Sequence, residues 1–212
     1  MAERVQLYFD PICPWCYQTS RWAWRLEDLG VIELDWGLFS LELQNAGKEP
    51  GELANAHARS ARGLRTAVAV REAVSPSAVG AFYKALGARV HEAGEPLEEA
   101  ATVEAALADA GLDTGLCARA WEDPSTAESV AAEHRHLCDR TRSFGVPTIV
   151  LDGGDGPAIF GPVISEVPDD NDAVELWRHV SWLVRHPDFA ELKRERLAAP
   201  KLASVARFRR QR

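Results

Sequence analysis

The sequence is poor in cysteine and carries no stretch built for a membrane. Four cysteines, Cys13, Cys16, Cys117 and Cys138, are too few to staple a secreted scaffold. No apolar run approaches the length of a spanning helix. A strand pattern starts within a few residues of Met1, which leaves no room for a signal peptide, so the expected address is a reducing cytoplasm. There is no glycine-rich dinucleotide loop, no paired metal box and no repeat of fixed period. A net charge of −8 argues against a nucleic-acid partner for the whole chain. The charge is uneven: residues 193–212 sum to +7, which leaves the rest at −15. Such a tail reads as a solvated terminus, with docking onto an acidic surface as the alternative.

What is present is a pair of sulfurs in a telling place. A predicted strand, Val5 to Phe9, runs into Asp10-Pro11-Ile12-Cys13-Pro14-Trp15-Cys16-Tyr17, where a helical pattern begins. Pro14 is tolerated in a first helical turn, where its missing N–H would be unpaired anyway. A cysteine at this junction lies beside the free N–H groups of the helix, which favour negative charge. Cys13 should therefore ionise readily and act as nucleophile, with Cys16 one turn later able to close a disulfide behind it. A zinc site would need two further ligands. The candidates are His134, His136 and Cys138, and the two histidines are spaced to point apart on a helix. A structural disulfide closing so short a loop gains little. Redox or thiol chemistry is the stronger reading.

The chain, with 212 residues and 46% hydrophobic content, can bury a real core as one domain with an insertion. The helix after Cys13 is expected to reach Leu29, with Trp22 and Leu26 in its core stripe and Gly30 as its stop. A second strand is expected over Val31–Leu43, completing a βαβ unit, then a loop over 44–51. Residues 52–143 are alanine-rich with helical periods, read as five helices forming one lobe. Strand character returns at Val146–Leu151 and Ala158–Phe160, separated by a turn at 152–156. A core helix over Asp172–Arg185 and a short helix from Pro187 to Arg196 follow. His57 and His91 read as surface or core residues of the lobe, and Cys117 and Cys138 as buried free thiols.

Strand–helix–strand, a helical insert, then strand–strand–helix is the order of a thioredoxin fold, α/β, with an inserted all-helical domain. The expected boundaries are 1–50 and 144–200 for the thioredoxin-fold parts, 51–143 for the insert and 201–212 for the basic tail. The order, together with Phe9-Asp-Pro-Ile-Cys-Pro-Trp-Cys16, Thr19-Ser-Arg-Trp22, Ser40-Leu41 leading to Asn45, Gly145-Val-Pro-Thr-Ile149 and Phe160-Gly-Pro-Val-Ile-Ser165, resembles the DsbA-like branch of the thioredoxin superfamily. Within it, the chain is most similar to the actinobacterial mycothiol-dependent reductases, also called mycothiol-dependent nitroreductases.

The resemblance implies Cys13 as nucleophile, Cys16 as resolving thiol, and Pro147 as a cis proline facing the pair. It implies that Pro14, Trp15, Asn45, Val146 and Pro147 line the substrate site. Val146 stands where the family more often has Thr. For Asn45 a loop-capping role is equally open, and Asp10 either transfers a proton or caps a turn. The resemblance further implies mycothiol as co-substrate with no tightly bound cofactor, small disulfide or electrophilic substrates, and a homodimer. A DsbA-like protein disulfide oxidase or isomerase, a thiol-dependent non-redox isomerase, and a binding module without turnover are the rival readings.

Overall fold

The computed structural model describes residues 2–47, 55 and 57–210. Strand β1 (Glu3–Phe9) lies inside a four-stranded sheet of order β2-β1-β3-β4. It pairs in parallel with β2 (Ile32–Leu38), with Phe9 opposite Leu38, and antiparallel with β3 (Thr148–Val150). Strand β4 (Ala158–Phe160) closes the edge antiparallel to β3. Helix α1 (Pro14–Asp28) is the crossover between the parallel pair. It ends at Leu29, and Gly30 takes the left-handed conformation that favours glycine. Its Trp22 is fully buried, and the indole N–H donates to Ala173 O of α8 (Asp170–Arg185).

A helical layer separates β2 from β3. It comprises α2 (Leu41–Asn45), α3 (Ala61–Ala73), α4 (Ala78–Gly87) with a π-helical continuation Ala88–Ala93, α5 (Ala100–Asp109), α6 (Leu116–Glu122) and α7 (Pro124–Thr141). It shares one core with the sheet through Phe9, Tyr83, Trp24 and Trp36, with Phe9 and Tyr83 stacked at 3.8 Å. Helix α4 reaches α1 closely because Gly87 faces the Tyr17 ring, where an added Cβ would sit 2.3 Å from a ring carbon.

Several expectations are corrected. The second strand stops at Leu38. Ser40 accepts a hydrogen bond from Leu43 N at 3.2 Å and so starts α2 in what had read as strand. The expected loop over 44–51 therefore begins inside α2, and residues 48–51 lie outside the described residues, as does the boundary set at residues 50 and 51. The strand expected over 146–151 is shortened to β3, and the turn after it is a 3-10 turn, Asp152–Gly154.

No helix forms over 187–196, which runs as turn and irregular backbone. Leu192 there is 81% exposed, as is Leu197 just after it at 78%, so a helix would have little apolar face to bury, and short helices are marginal without tertiary packing. Helix α9 (Ala203–Arg210) forms instead, inside the segment expected to be a solvated tail. Leu202 is buried ahead of it, Ser204 Oγ hydrogen-bonds His91, and Arg207 donates to Gly94 O. Residues 211 and 212 of that tail are outside the described residues.

Candidate active site

Cys13 is the N-cap of α1: its sulfur accepts from Cys16 N at 3.4 Å, and Pro14 occupies the first helical turn. Cys13 is half-buried and Cys16 fully buried, and both are free thiols. One cysteine is thus partly accessible while its partner is enclosed. The Cys13 thiol is held below the ordinary value, first by the hydrogen bond from the Cys16 thiol, then by backbone N–H groups of Cys16 and Trp15. Burial and the Asp10 charge oppose this. Cys16 is pushed well above the ordinary value by burial and by its neighbour Cys13. The split suits two roles, an ionised attacker and a protonated resolver.

The opposite wall is the Val146-Pro147 peptide, which is cis. Cys13 Sγ lies 3.9 Å from Val146 O. The chain therefore brings β1, α1 and the entry to β3 together around one sulfur. Phe144, two residues before Val146, is exposed and packs against Phe160 at 4.8 Å.

Asp10 is completely buried beneath the cysteine loop. Its Oδ1 accepts from Ile12 N at 3.0 Å, and its Oδ2 from Leu41 N at 2.7 Å and Ser60 Oγ at 3.2 Å. Burial outweighs these donors and pushes its carboxyl up to about 7. Asp10 thus caps the loop through Ile12 N, and the carboxyl that does so is pushed toward neutrality. Asn45, at the end of α2, donates to Leu41 O at 2.7 Å and lies 3.1 Å from His57 Nδ1. Its amide is turned into this supporting network.

His91 braces the loop from the other side. A carbonyl only accepts, so His91 Nε2 carries the proton donated to Pro11 O at 2.9 Å, and Nδ1 accepts from Ser204 Oγ at 2.8 Å. The ring is fully buried, stacks on Tyr17 at 5.1 Å, and burial pushes its pKa down to about 4. Nothing in the spacing of the sequence marks Ser60, His91 or Ser204 as supports. Ser60 meets Asp10, His91 meets Pro11 and Ser204 meets His91 only through folding, across separations of 50 residues or more.

His134 and Cys138 lie 3.7 Å apart, with Gln44 Oε1 3.8 Å from the sulfur. Cys138 is half-buried rather than fully buried, whereas Cys117 is completely buried. Among the described residues no group of three or more His, Cys, Asp or Glu side chains is placed to hold a metal ion.

The family described as Rv2466c-like, mycothiol-dependent nitroreductase Rv2466c, matches residues 12–194 of the chain. The chain belongs to this family. It is also 32% identical over 198 residues to the uncharacterized protein Rv2286c of Mycobacterium tuberculosis, covering 92% of this chain and 83% of that protein. Among solved structures it is similar to the cytosolic disulfide reductase DsbM of Pseudomonas aeruginosa, with TM-score 0.58, 18% identity and coverage of 85% and 99% of the two chains. It is also similar to the probable DsbA oxidoreductase SCO1869 of Streptomyces coelicolor, with TM-score 0.56, 18% identity and coverage of 93% and 95%. Those two likenesses show a DsbA-like thioredoxin fold. The family makes the chain a thiol oxidoreductase. No described helix is long and apolar enough to cross a membrane.

Proposed function

We propose that this protein is a cytoplasmic, mycothiol-dependent thiol–disulfide reductase whose nucleophile is Cys13 and whose resolving thiol is Cys16. The observation that carries the reading is Cys13 itself, a helix-capping sulfur with a lowered pKa facing the Val146 carbonyl. The Cys13 thiolate attacks one sulfur of a disulfide substrate; an enzyme–substrate disulfide forms and the other half leaves as a thiol. Cys16 then loses its proton and attacks Cys13 Sγ, releasing the second half as a thiol and leaving a Cys13–Cys16 disulfide. Two electrons pass from the dithiol to the substrate.

We assign receipt of the Cys16 proton to Asp10, which is buried directly beneath the cysteine loop, accepts from Ile12 N within it and has its carboxyl pushed up to about 7. Mycothiol attacks Cys13 of the oxidised pair, freeing Cys16, and a second mycothiol attacks the adduct to give mycothiol disulfide and the reduced enzyme. A nitroaromatic acceptor takes the same two electrons with two protons, giving a nitroso product and water. Pro14, Trp15, Asn45, Val146 and Pro147 line or shape the substrate site, and the working unit is a homodimer. Both statements rest on the family resemblance.

Trapping tests the cycle. Cys16→Ser incubated with mycothiol disulfide is expected to carry one mycothiol on Cys13, visible by intact mass. An adduct on Cys117 or Cys138 instead would overturn the assignment. Full turnover by Cys16→Ser would favour the non-redox isomerase, and efficient oxidation of a reduced unfolded protein the DsbA-like oxidase.

A further inference from the structure

The segment after α8 reaches back to Trp15, the residue between the two cysteines. Helix α8 ends at Arg185, which is tied to Glu3 and Asp152. The chain resumes regular structure only at α9, seated against the π-helical turn through Leu202, Ser204 and Arg207. Residues 186–202 therefore form a strap held at both ends, with Lys201 also paired to Glu166. Within it, the Arg196 guanidinium lies 5.1 Å from the centre of the Trp15 ring. Trp15 sits between the two cysteines. Arg196 is exposed, and no carboxylate pairs with it among the described residues.

A cation stacked on Trp15 with no carboxylate partner among the described residues stands out on a chain whose first 192 residues carry −15. The sequence places its excess positive charge in the last 20 residues, and the fold brings part of it back onto Trp15, the residue between Pro14 and Cys16. The match to the family ends at residue 194, so Arg196 lies outside the segment that defines it. A guanidinium resting over an indole interacts with the ring through its charge and can still offer N–H groups to a carboxylate.

We propose that Arg196, stacked on Trp15, is a specificity-determining residue that selects substrates bearing a carboxylate close to the sulfur or carbon that Cys13 attacks. The subsite extends the reductase reading but is tested apart from it. Cys13 alkylation by iodoacetate, an anion, is compared with alkylation by the neutral iodoacetamide in the full-length reduced protein. The ratio of the two rates is expected to fall about three- to five-fold in Arg196→Gln, the range of an exposed ion pair. The iodoacetamide rate is expected to stay unchanged. Arg196→Lys should keep most of the ratio, Arg196→Glu should lower it further, and about 1 M salt should erase the difference.

An unchanged ratio in Arg196→Gln would overturn the proposal. So would an equal loss with both reagents, which would mean that Arg196 acts on the thiol or on the strap's conformation. The same comparison is then made with two disulfides, the dianionic 5,5′-dithiobis(2-nitrobenzoate) and the neutral 4,4′-dithiodipyridine, where Arg196→Gln should slow only the first. If the alkylation ratio responds while neither disulfide oxidises the cysteine pair, the subsite stands and the reductase reading fails.

Discussion

Replacing Asp10 by Asn isolates the energetic effect of a buried carboxyl under a reactive cysteine loop. Burial moves the Asp10 carboxyl from 3.8 to about 7, against hydrogen bonds from Leu41 N, Ile12 N and Ser60 Oγ. A group whose folded pKa lies above its unfolded value holds its proton more tightly when folded. Its stabilising contribution is complete below about pH 4 and is lost as the pH rises through about 7. The loss is about 1.4 kcal/mol per pH unit and about 4 kcal/mol across that window. His91, on the other side of Pro11, has the opposite sign. Burial depresses it from 6.5 to about 4, so its contribution is present above pH 6.5 and lost as the pH falls through about 4, about 3 kcal/mol in all.

The two slopes oppose one another between pH 4 and 6.5, and the wild-type chain should show little net dependence from this pair there. Asp10→Asn removes one slope and keeps the other. The variant is expected to lose about 3 kcal/mol on acidification across the window in which the wild type stays nearly level. Near pH 8 the comparison reverses. The wild-type carboxylate is then charged and buried, whereas the Asn is neutral but turns an amide N–H toward a backbone donor, at a cost of about 1–3 kcal/mol. The variant should then exceed the wild type by about 1–3 kcal/mol. Urea unfolding followed by tryptophan fluorescence at several values from about pH 4 to about pH 8 reads the difference directly. A difference between the two proteins that stays constant with pH would refute the reasoning.

The other expectations are simpler. Asp10→Asn should also move the midpoint of Cys13 alkylation further down, because the Asp10 charge opposes that thiolate; an upward movement would contradict the electrostatics. His91→Phe keeps a ring against Tyr17 but leaves Pro11 O and Ser204 Oγ without their partner. It should cost about 2–4 kcal/mol and raise amide exchange in α9, and exchange unchanged there would show that α9 is held independently. Gly87→Ala should cost about 1–3 kcal/mol in urea unfolding, because the new methyl meets the Tyr17 ring; a neutral effect would mean that the ring yields freely.

Much of the fold was legible because local and long-range signals agree. The strand into Asp10-Pro11, the Cys13 N-cap with Pro14 behind it and the Trp22 stripe all stand where their patterns place them. The β-branched run before Leu151 and the helix through Trp177 were equally clear. The failures share a cause. Residues 39–43 are apolar enough to read as strand, but a single Ser40 hydroxyl decides for a helix. Residues 187–196 begin with a helix signal yet leave Leu192 exposed with no apolar stripe to bury, while the arginine-rich end finds the π-helical turn. Tertiary burial decides such short segments, and no window of sequence contains it.

The candidate site divides in the same way. Cys13 and Cys16 stand in a motif whose spacing carries their geometry, and the family resemblance pointed to Pro147. Asp10 was visible beside them, but its pairing with Ser60 was not. His91 read as an ordinary helix histidine, because its partners Pro11 and Ser204 come from two distant segments. Arg196 read as one charge of a tail, because only the strap's path sets it on Trp15.

The most direct test of the central claim is a pH titration of Cys13 alkylation in the reduced protein, with mycothiol disulfide present in a parallel sample to trap the adduct by mass. The account expects a midpoint below that of a free cysteine and a single mycothiol on Cys13, absent from Cys13→Ser. A Cys13 that stays unreactive at neutral pH, or an adduct that forms elsewhere, would contradict it.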